Sequence, residues 1–169
     1  RSEEFFWRFC DDYLELVKGR RYGDQGPAAA ASANSALTAA LSVLLRLFAP
    51  FLPFVTEEVW SWWQDGSIHK AQWPTASELE QLIDDDTAAS KQHDQEIYER
   101  ATEVLFEVRK RRSEDKKPIK VPITGVVLPD TFRDLIAIPQ VEADLKSALR
   151  VKAFTIASGR VREIVVVGY

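Results

Sequence analysis

"LRLFAPFLPFVTEEVW", residues 45–60, sets two prolines three positions apart between two apolar runs. Proline lacks a backbone N–H and its ring clashes with the preceding turn, so Pro50 ends a helix and does not pass through one. The fixed φ of Pro53 suits the first position of a new helix. The stretch therefore reads as helix, corner, helix. Upstream, Leu37, Leu41, Leu44, Leu45 and Phe48 recur at three- and four-residue steps, which predicts one long helix from Pro27 to about Ala49 with that stripe buried. Downstream, "PFVTEEVWSWW" continues as a helix with Glu57 and Glu58 near its N-terminus, where the helix dipole favours negative charge. The apolar run Leu41–Val55 is broken by Arg46, Pro50 and Pro53, so it does not read as a membrane span.

The pattern extends in both directions. Residues 4–20 predict an amphipathic helix: Phe5, Phe9, Leu16 and Cys10, Leu14, Val17 mark one side, Arg8, Asp12, Glu15 and Lys18 another. Gly19 and Gly23 weaken its end, and "GDQGP" is a turn. Residues 65–94 are polar and irregular, with a short helix at 77–83, and the acidic run Asp84–Asp86 reads as solvated. A fourth helix over 88–113 carries the stripe Ile97, Ala101, Val104, Leu105, Val108. Beyond "RKRRSEDKKP" the period changes: 121–128, 151–156 and 161–169 read as strands, with a helix at 139–148. The expected fold is mainly α, an antiparallel helical bundle over 1–113 followed by a small α+β appendage over 114–169.

Composition narrows the function. With 46% hydrophobic and 28% charged residues the chain has the make-up of a soluble globular protein. A single cysteine, Cys10, excludes an internal disulfide framework and fits a reducing compartment. The first residue is Arg1, no methionine occurs, and no leader pattern is present, so the chain reads as a piece of a longer, cytoplasmic protein. Net charge is −4, but unevenly spread: residues 1–94 hold 8 basic and 15 acidic groups, residues 95–169 hold 14 and 11. That split favours a polyanionic partner for the second half.

Catalytic patterns are missing. No glycine-rich phosphate loop, Cys/His cluster or nucleophile elbow occurs. Asp11/Asp12 and Glu57/Glu58 are adjacent along helices, so the members of each pair diverge and form no dyad. His69 and His93 read as surface or loop residues, Cys10 as a small core residue. The expectation is no catalytic residue and no metal. Two readings of the rest remain open. In one, Lys18, Arg20, Arg21 and the seven basic groups of 109–120 bind phosphates while exposed aromatics stack on bases. In the other, the aromatics are core and "RKRR" is a solvated helix end.

Three segments carry a family resemblance. "LRLFAPFLPFVTEEVW" is similar to "LRLLHPFMPFITEELW" of the anticodon-binding region of class I aminoacyl-tRNA synthetases. "FCDDYLELVK", residues 9–18, looks most like "FCDWYIELxK" of the valyl branch. "EVRKRRSEDKKPIKVPI", residues 107–123, is similar to "IRxxRxExxIxPxxPL". Asp12 departs from the family's frequent tryptophan, and Phe48–Ala49 from its frequent Leu-His. The resemblance implies the tRNA-binding part of a ligase that joins valine to its tRNA using ATP. ATP would be handled by the catalytic domain elsewhere in the parent, a monomer whose catalytic and editing domains would be this part's partners along with valine tRNA, and this part would hold no cofactor of its own. It implies Arg8, Asp12, Lys18, Arg20, Arg109 and Arg112 as tRNA contacts, with Phe5, Phe9, Tyr13 and Leu16 packed inward, and Trp60 and Glu58 structural. Three reversals separate the first and fourth helices, so their basic ends are expected at opposite ends of the bundle. The same region of an isoleucyl or leucyl enzyme, or a helical protein-interaction module, are the alternatives.

Overall fold

The computed structural model describes residues 2–82, 88–158 and 163–169. The acidic run 84–86, the end of the short helix expected to reach 83, and residues 161–162 of the last expected strand lie outside the described residues. The chain is mainly helical with a small α+β portion near its C-terminal end. Two compact units form, residues 1–30 with 88–169, and residues 31–87.

In the first unit, α1 (Ser2–Arg8), one π-helical turn (Phe9–Tyr13) and α2 (Leu14–Arg21) follow one another directly, and the helical dihedrals of Arg8, Tyr13 and Leu14 keep the path unbroken. Gly23 and Gly26, both at positive φ, make the turn that leads to α3 (Pro27–Phe48). The long helix α6 (Ala88–Glu114) supplies Ala101, Val104, Leu105 and Val108 to the core, the last three fully buried. After it come β1 (Gly125–Leu128), α7 (Arg133–Ile136), α8 (Pro139–Leu149), β2 (Phe154–Ile156) and β3 (Val165–Val167). β1 is the middle strand, parallel to β2 with Val126 opposite Phe154, and antiparallel to β3 with Val126 opposite Val166. Alternation along β1 buries Val126 and Leu128 against the helices. One apolar cluster joins Leu16, the α6 stripe, Ile123, the two β1 residues, Phe132, Leu135, Leu145, Leu149 and Val151. This core runs across residue 113, where the sequence pattern changes.

Gly19 has a different role from the helix breaker its sequence suggests. It is buried in α2, and a Cβ there would lie 2.3 Å from Ser147 Oγ and 2.8 Å from Ser147 Cβ of α8. The hydroxyl can swing aside, but the Cβ cannot, so any side chain forces the two helices apart. Gly19→Ala is expected to cost about 1–3 kcal/mol by overpacking, with most of it recovered in Gly19→Ala/Ser147→Gly. Chemical denaturation of the four variants checks this.

The second unit holds α3 from Ala31, α4 (Pro53–Ser61), a 3₁₀ turn (Ile68–Lys70) and α5 (Ala76–Glu80). Pro53 stands at the start of α4 as the sequence predicts. Trp60 is buried with Ala49 and Ile68, and Leu45, Trp63 and Ala71 close around them. Glu57 fixes the following loop, accepting hydrogen bonds from Ser67 Oγ at 3.0 Å and the Ile68 N–H at 2.8 Å. Glu58 instead stays on the surface and accepts from Trp62 Nε1 at 3.2 Å. Leu44 is buried, but Leu41 of the same stripe is 39% exposed. By length and composition α3 is apolar enough to cross a membrane, a test that core helices of soluble proteins also pass.

Thr75 and Glu78 form a capping box at the start of α5, and Arg46 reaches the same carboxylate with two nitrogens. These hydrogen bonds, Arg46 foremost, hold Glu78 down at about 2, against an ordinary 4.5. A depressed carboxyl stabilises the folded state above pH 4.5, and that contribution is lost as the pH falls through 2. A carbon-detected NMR titration should place Glu78 near 2 in the native chain and back in the ordinary range in Arg46→Ala.

Candidate nucleic-acid interface

The first helix and α6 meet at the π turn. A π turn breaks the regular i→i−4 ladder, and two α6 side chains donate to main-chain oxygens here. Arg109 NH1 donates to the Asp11 carbonyl at 3.2 Å, and the Tyr98 hydroxyl to the Arg8 carbonyl at 3.4 Å. Aromatic rings line the same stretch: Phe5 stacks on Phe9 at 5.9 Å, Phe9 on Tyr13 at 5.4 Å, and Tyr13 lies 6.3 Å from Tyr98. The Arg8 guanidinium sits 5.6 Å from the Tyr98 ring centroid. Burial raises the pKa of both Tyr13 and Tyr98, so both phenols stay neutral donors at neutral pH. Burial likewise raises the Cys10 thiol, which leaves it an unreactive, half-buried group.

Beside the turn, Glu15 gathers two cations. Lys18 Nζ lies 3.3 Å from Glu15 Oε1, and Arg109 NH2 3.5 Å from Glu15 Oε2. This corrects the expectation that the basic residues of the first and fourth helices stand at opposite ends. Contacts rise together along the two helices, Arg8 with Tyr98 and Glu15 with Arg109, and are not opposed as a simple three-reversal bundle requires. Arg8, Lys18 and Arg109 thus fall on one stretch of surface, with half-buried Asp12 between them in sequence.

Two of the six expected contact residues turn inward instead. Arg20 NH2 pairs with the buried Asp144 of α8 at 2.9 Å, and only 17% of its side chain is exposed. Gln25 and Gln140 also donate to that carboxylate. Burial is the largest influence on Asp144 and pushes its pKa up, with Gln25 and Arg20 pulling against it. Arg112 is 3% exposed; it donates to the carbonyls of Ile119 at 2.6 Å and of Val121. Burial acts on Arg112 in the opposite sense and lowers its pKa. The segment after α6 needs that fork to satisfy two main-chain oxygens, so the guanidinium serves the fold. Asp144→Ala, which strands the Arg20 charge, should cost about 3 kcal/mol in a thermal melt, at the lower end for buried pairs because Arg20 keeps some water.

The exposed groups at this surface suit a polyanion that carries flat rings. Phe5, Trp7 and Phe106 are 54%, 56% and 62% exposed. Phe106 shares a helix face with Arg109 and Lys110, three and four residues on. The sequence reading passed over it, although its position off the stripe Ile97, Ala101, Val104, Leu105, Val108 was a signal. Phe5 also departs from expectation: the Phe5–Phe9–Tyr13 ladder lies as read, but its outer end faces solvent. A groove of about 660 Å³ in the second unit, lined by Asn34, Thr38, Ser42, Arg46, Trp63 and Glu78, is a weaker candidate, because Arg46 is already neutralised by Glu78.

The sequence pattern described as the anticodon-binding domain of tRNA ligase matches residues 1–127. The chain is 52% identical over 128 residues to the valine–tRNA ligase of Thermobifida fusca (strain YX), covering 76% of this chain and 14% of that protein. It is 45% identical over 154 residues to that of Salinispora tropica, covering 87% and 18%. Against the valine–tRNA ligase of Cutibacterium acnes it is 43% identical over 159 residues, covering 93% and 17%. The chain thus spans about a sixth of the length of the curated relatives it matches.

Proposed function

This chain belongs to the anticodon-binding domain family of tRNA ligases, and on that footing we propose that it is the part of a valine–tRNA ligase that grips the anticodon stem-loop. The observation that carries the reading is the 38–52% identity to valine–tRNA ligases over most of the chain. The longer polypeptide joins valine to its tRNA with ATP in the cytoplasm and works as a monomer. Its catalytic and editing parts lie outside residues 1–169, which hold no glycine-rich phosphate loop and neither of the class I nucleotide signatures.

The contact surface is Arg8, Lys18 and Arg109, with Asp12 as an acceptor and Phe106 as a stacking platform. Cations there neutralise backbone phosphates, and counterion release supplies much of the affinity. Unstacked anticodon bases present their Watson–Crick edges, which a carboxylate and a guanidinium read by hydrogen bonding, while an exposed ring takes a base face. Arg20 and Arg112 act as positioning residues, holding α2 against α8 and the segment 119–121 against α6. Fluorescence anisotropy with labelled tRNAs tests the reading. The 169-residue chain should bind valine tRNA more tightly than isoleucine or leucine tRNA at 50 mM salt, and should catalyse no valine-dependent exchange of pyrophosphate into ATP. Equal binding of all three would point to a generic RNA surface, and no binding to a protein-interaction module.

A further inference from the structure

The helices α6 and α8 end in the same way. Among the described residues two non-glycine residues have a left-handed φ, Lys116 at 53° and Arg150 at 54°. Each follows a helix at the position that glycine usually fills. The Lys116 N–H donates to the Ser113 carbonyl at 3.1 Å and the Lys117 N–H to the Arg112 carbonyl at 2.9 Å, which closes α6. The Arg150 and Val151 N–H groups repeat the pattern on Ser147 and Lys146, at 3.4 and 3.1 Å, and close α8. Glycine reaches this conformation freely, whereas a Cβ crowds the neighbouring carbonyl. Two cations thus stand where the backbone favours no side chain at all.

The two ends lie together. The Ile123 N–H donates to the Arg150 carbonyl at 2.9 Å, and the Ile123 carbonyl accepts from the Lys152 N–H at 3.0 Å. Arg112 ties the 119–121 segment to the last turns of α6. Burial foremost, and the Arg150 charge after it, lower the Arg112 pKa. Lys116, Lys117, Lys120, Arg150 and Lys152 are all exposed, and none of them joins an ion pair among the described residues. Asp115 is already taken, by Arg111 at 3.2 Å and the Tyr169 hydroxyl at 2.7 Å. Positions 116–129 and 145–158 contain no acidic residue. A cation at a helix C-terminus also offsets the dipole, but Lys120 and Lys152 lie beyond the helix ends and have no such use. Unpaired like charges held this close repel one another, and a polyanion relieves that repulsion.

The rings decide which part of a polyanion fits. Tyr169 lies under Lys117, whose Nζ is 5.5 Å from the ring centroid, and its hydroxyl is bonded to Asp115, so it is no free stacking platform. Cations without a free ring hold phosphates and take no base face. Paired RNA suits such a surface, because its bases are stacked inside and its phosphates face out. Lys116 stands seven positions beyond Arg109, about 10 Å at the helical rise, so one RNA can reach both.

We infer that Lys116, Lys120, Arg150 and Lys152 form a second RNA subsite, which holds the phosphates of a paired stem while the π turn takes unpaired bases. The inference rests on the reading of this chain as tRNA-binding. Lys116→Gly/Arg150→Gly in the full-length polypeptide tests it, by anisotropy with valine tRNA across a salt series and by urea denaturation. The slope of log K against log salt should fall by about 1.4–1.8, or about 0.7–0.9 for each phosphate released. The urea midpoint should hold or rise, because glycine relieves both left-handed residues. A lower midpoint with an unchanged slope makes the two cations dipole caps and overturns the subsite. A hairpin with the same stem and an unrelated loop should show the same fall in slope, and an unpaired RNA should not; the reverse result overturns the assignment to a stem. Lys70→Gln/Arg133→Gln removes as much charge elsewhere and should keep the slope, and an equal fall there reduces the effect to net charge. A fall with heparin but not with tRNA assigns the surface to another polyanion. If the unaltered polypeptide binds no tRNA, the functional reading fails and the subsite with it. If it binds and the variant keeps its slope, the subsite alone fails.

Discussion

Leu105→Asp should leave the first unit unfolded at room temperature, whereas Leu41→Asp should leave the chain folded. Both leucines sit on helical stripes that the sequence marks as buried, yet Leu105 is fully enclosed and Leu41 is 39% exposed. At Leu105 the loss of a buried side chain costs about 2–5 kcal/mol. The carboxylate that replaces it meets only the apolar cluster around Leu16, Val126, Leu135 and Leu145, where an unpaired charge adds several kcal/mol more. Together these rival the total stability of an ordinary domain, about 5–15 kcal/mol. Because such a variant would be recovered insoluble, Leu105→Ala gives the measurable counterpart: urea denaturation should show a loss of about 2–5 kcal/mol. An equal effect at positions 41 and 105 would mean that periodicity, not the observed packing, describes the core.

That contrast shows where the sequence is a sufficient guide. The α6 stripe could be read because its period alone selects one face, and residues of α2, β1, α7 and α8 join it in one core. The 45–60 corner could be read because Pro50 and Pro53 impose backbone geometry whatever surrounds them. Gly19 could not: its function depends on Ser147, 128 positions away, and nothing local distinguishes a close approach from a helix end. The same holds for Arg20 and Arg112. A cluster of basic residues fixes the sign of a field but not its direction, and the inward turn of both follows from acceptors on α8 and in the 119–121 segment. The 130–136 turn of helix, absent from the sequence reading, is too short for any period to register. At the candidate interface the aromatic ladder was legible from its four-residue spacing. Phe106 and the convergence of Lys18 with Arg109 on Glu15 were not, since they depend on how two helices are aligned.

The largest functional effect should come from reversing that convergence. In Lys18→Glu/Arg109→Glu, tRNA affinity should fall about 100-fold at 50 mM salt, about tenfold for each phosphate contact, and the slope of log K against log salt should drop by about 1.5. The fall should be similar for every anticodon, because phosphate contacts carry no sequence information. Arg109 also donates to the Asp11 carbonyl and faces Glu15, so reversal adds like-charge repulsion within the fold. Arg109→Gln separates the two roles: it keeps a donor for Asp11 but removes the charge, and should lower the salt slope by about 0.7–0.9 with an unchanged melt. Phe106→Ala should weaken binding by about 1–3 kcal/mol, the worth of one stacked base, with no change in slope. Arg112→Gln is the reciprocal control. One amide cannot replace the two guanidinium nitrogens that reach the Ile119 and Val121 carbonyls, so the change should cost about 1–3 kcal/mol of stability for each carbonyl left bare, while the slope stays as it was. If Arg112→Gln changes the salt slope and Arg109→Gln does not, the RNA surface lies on the face of α6 that packs against the strands, and the interface drawn at the π turn is wrong.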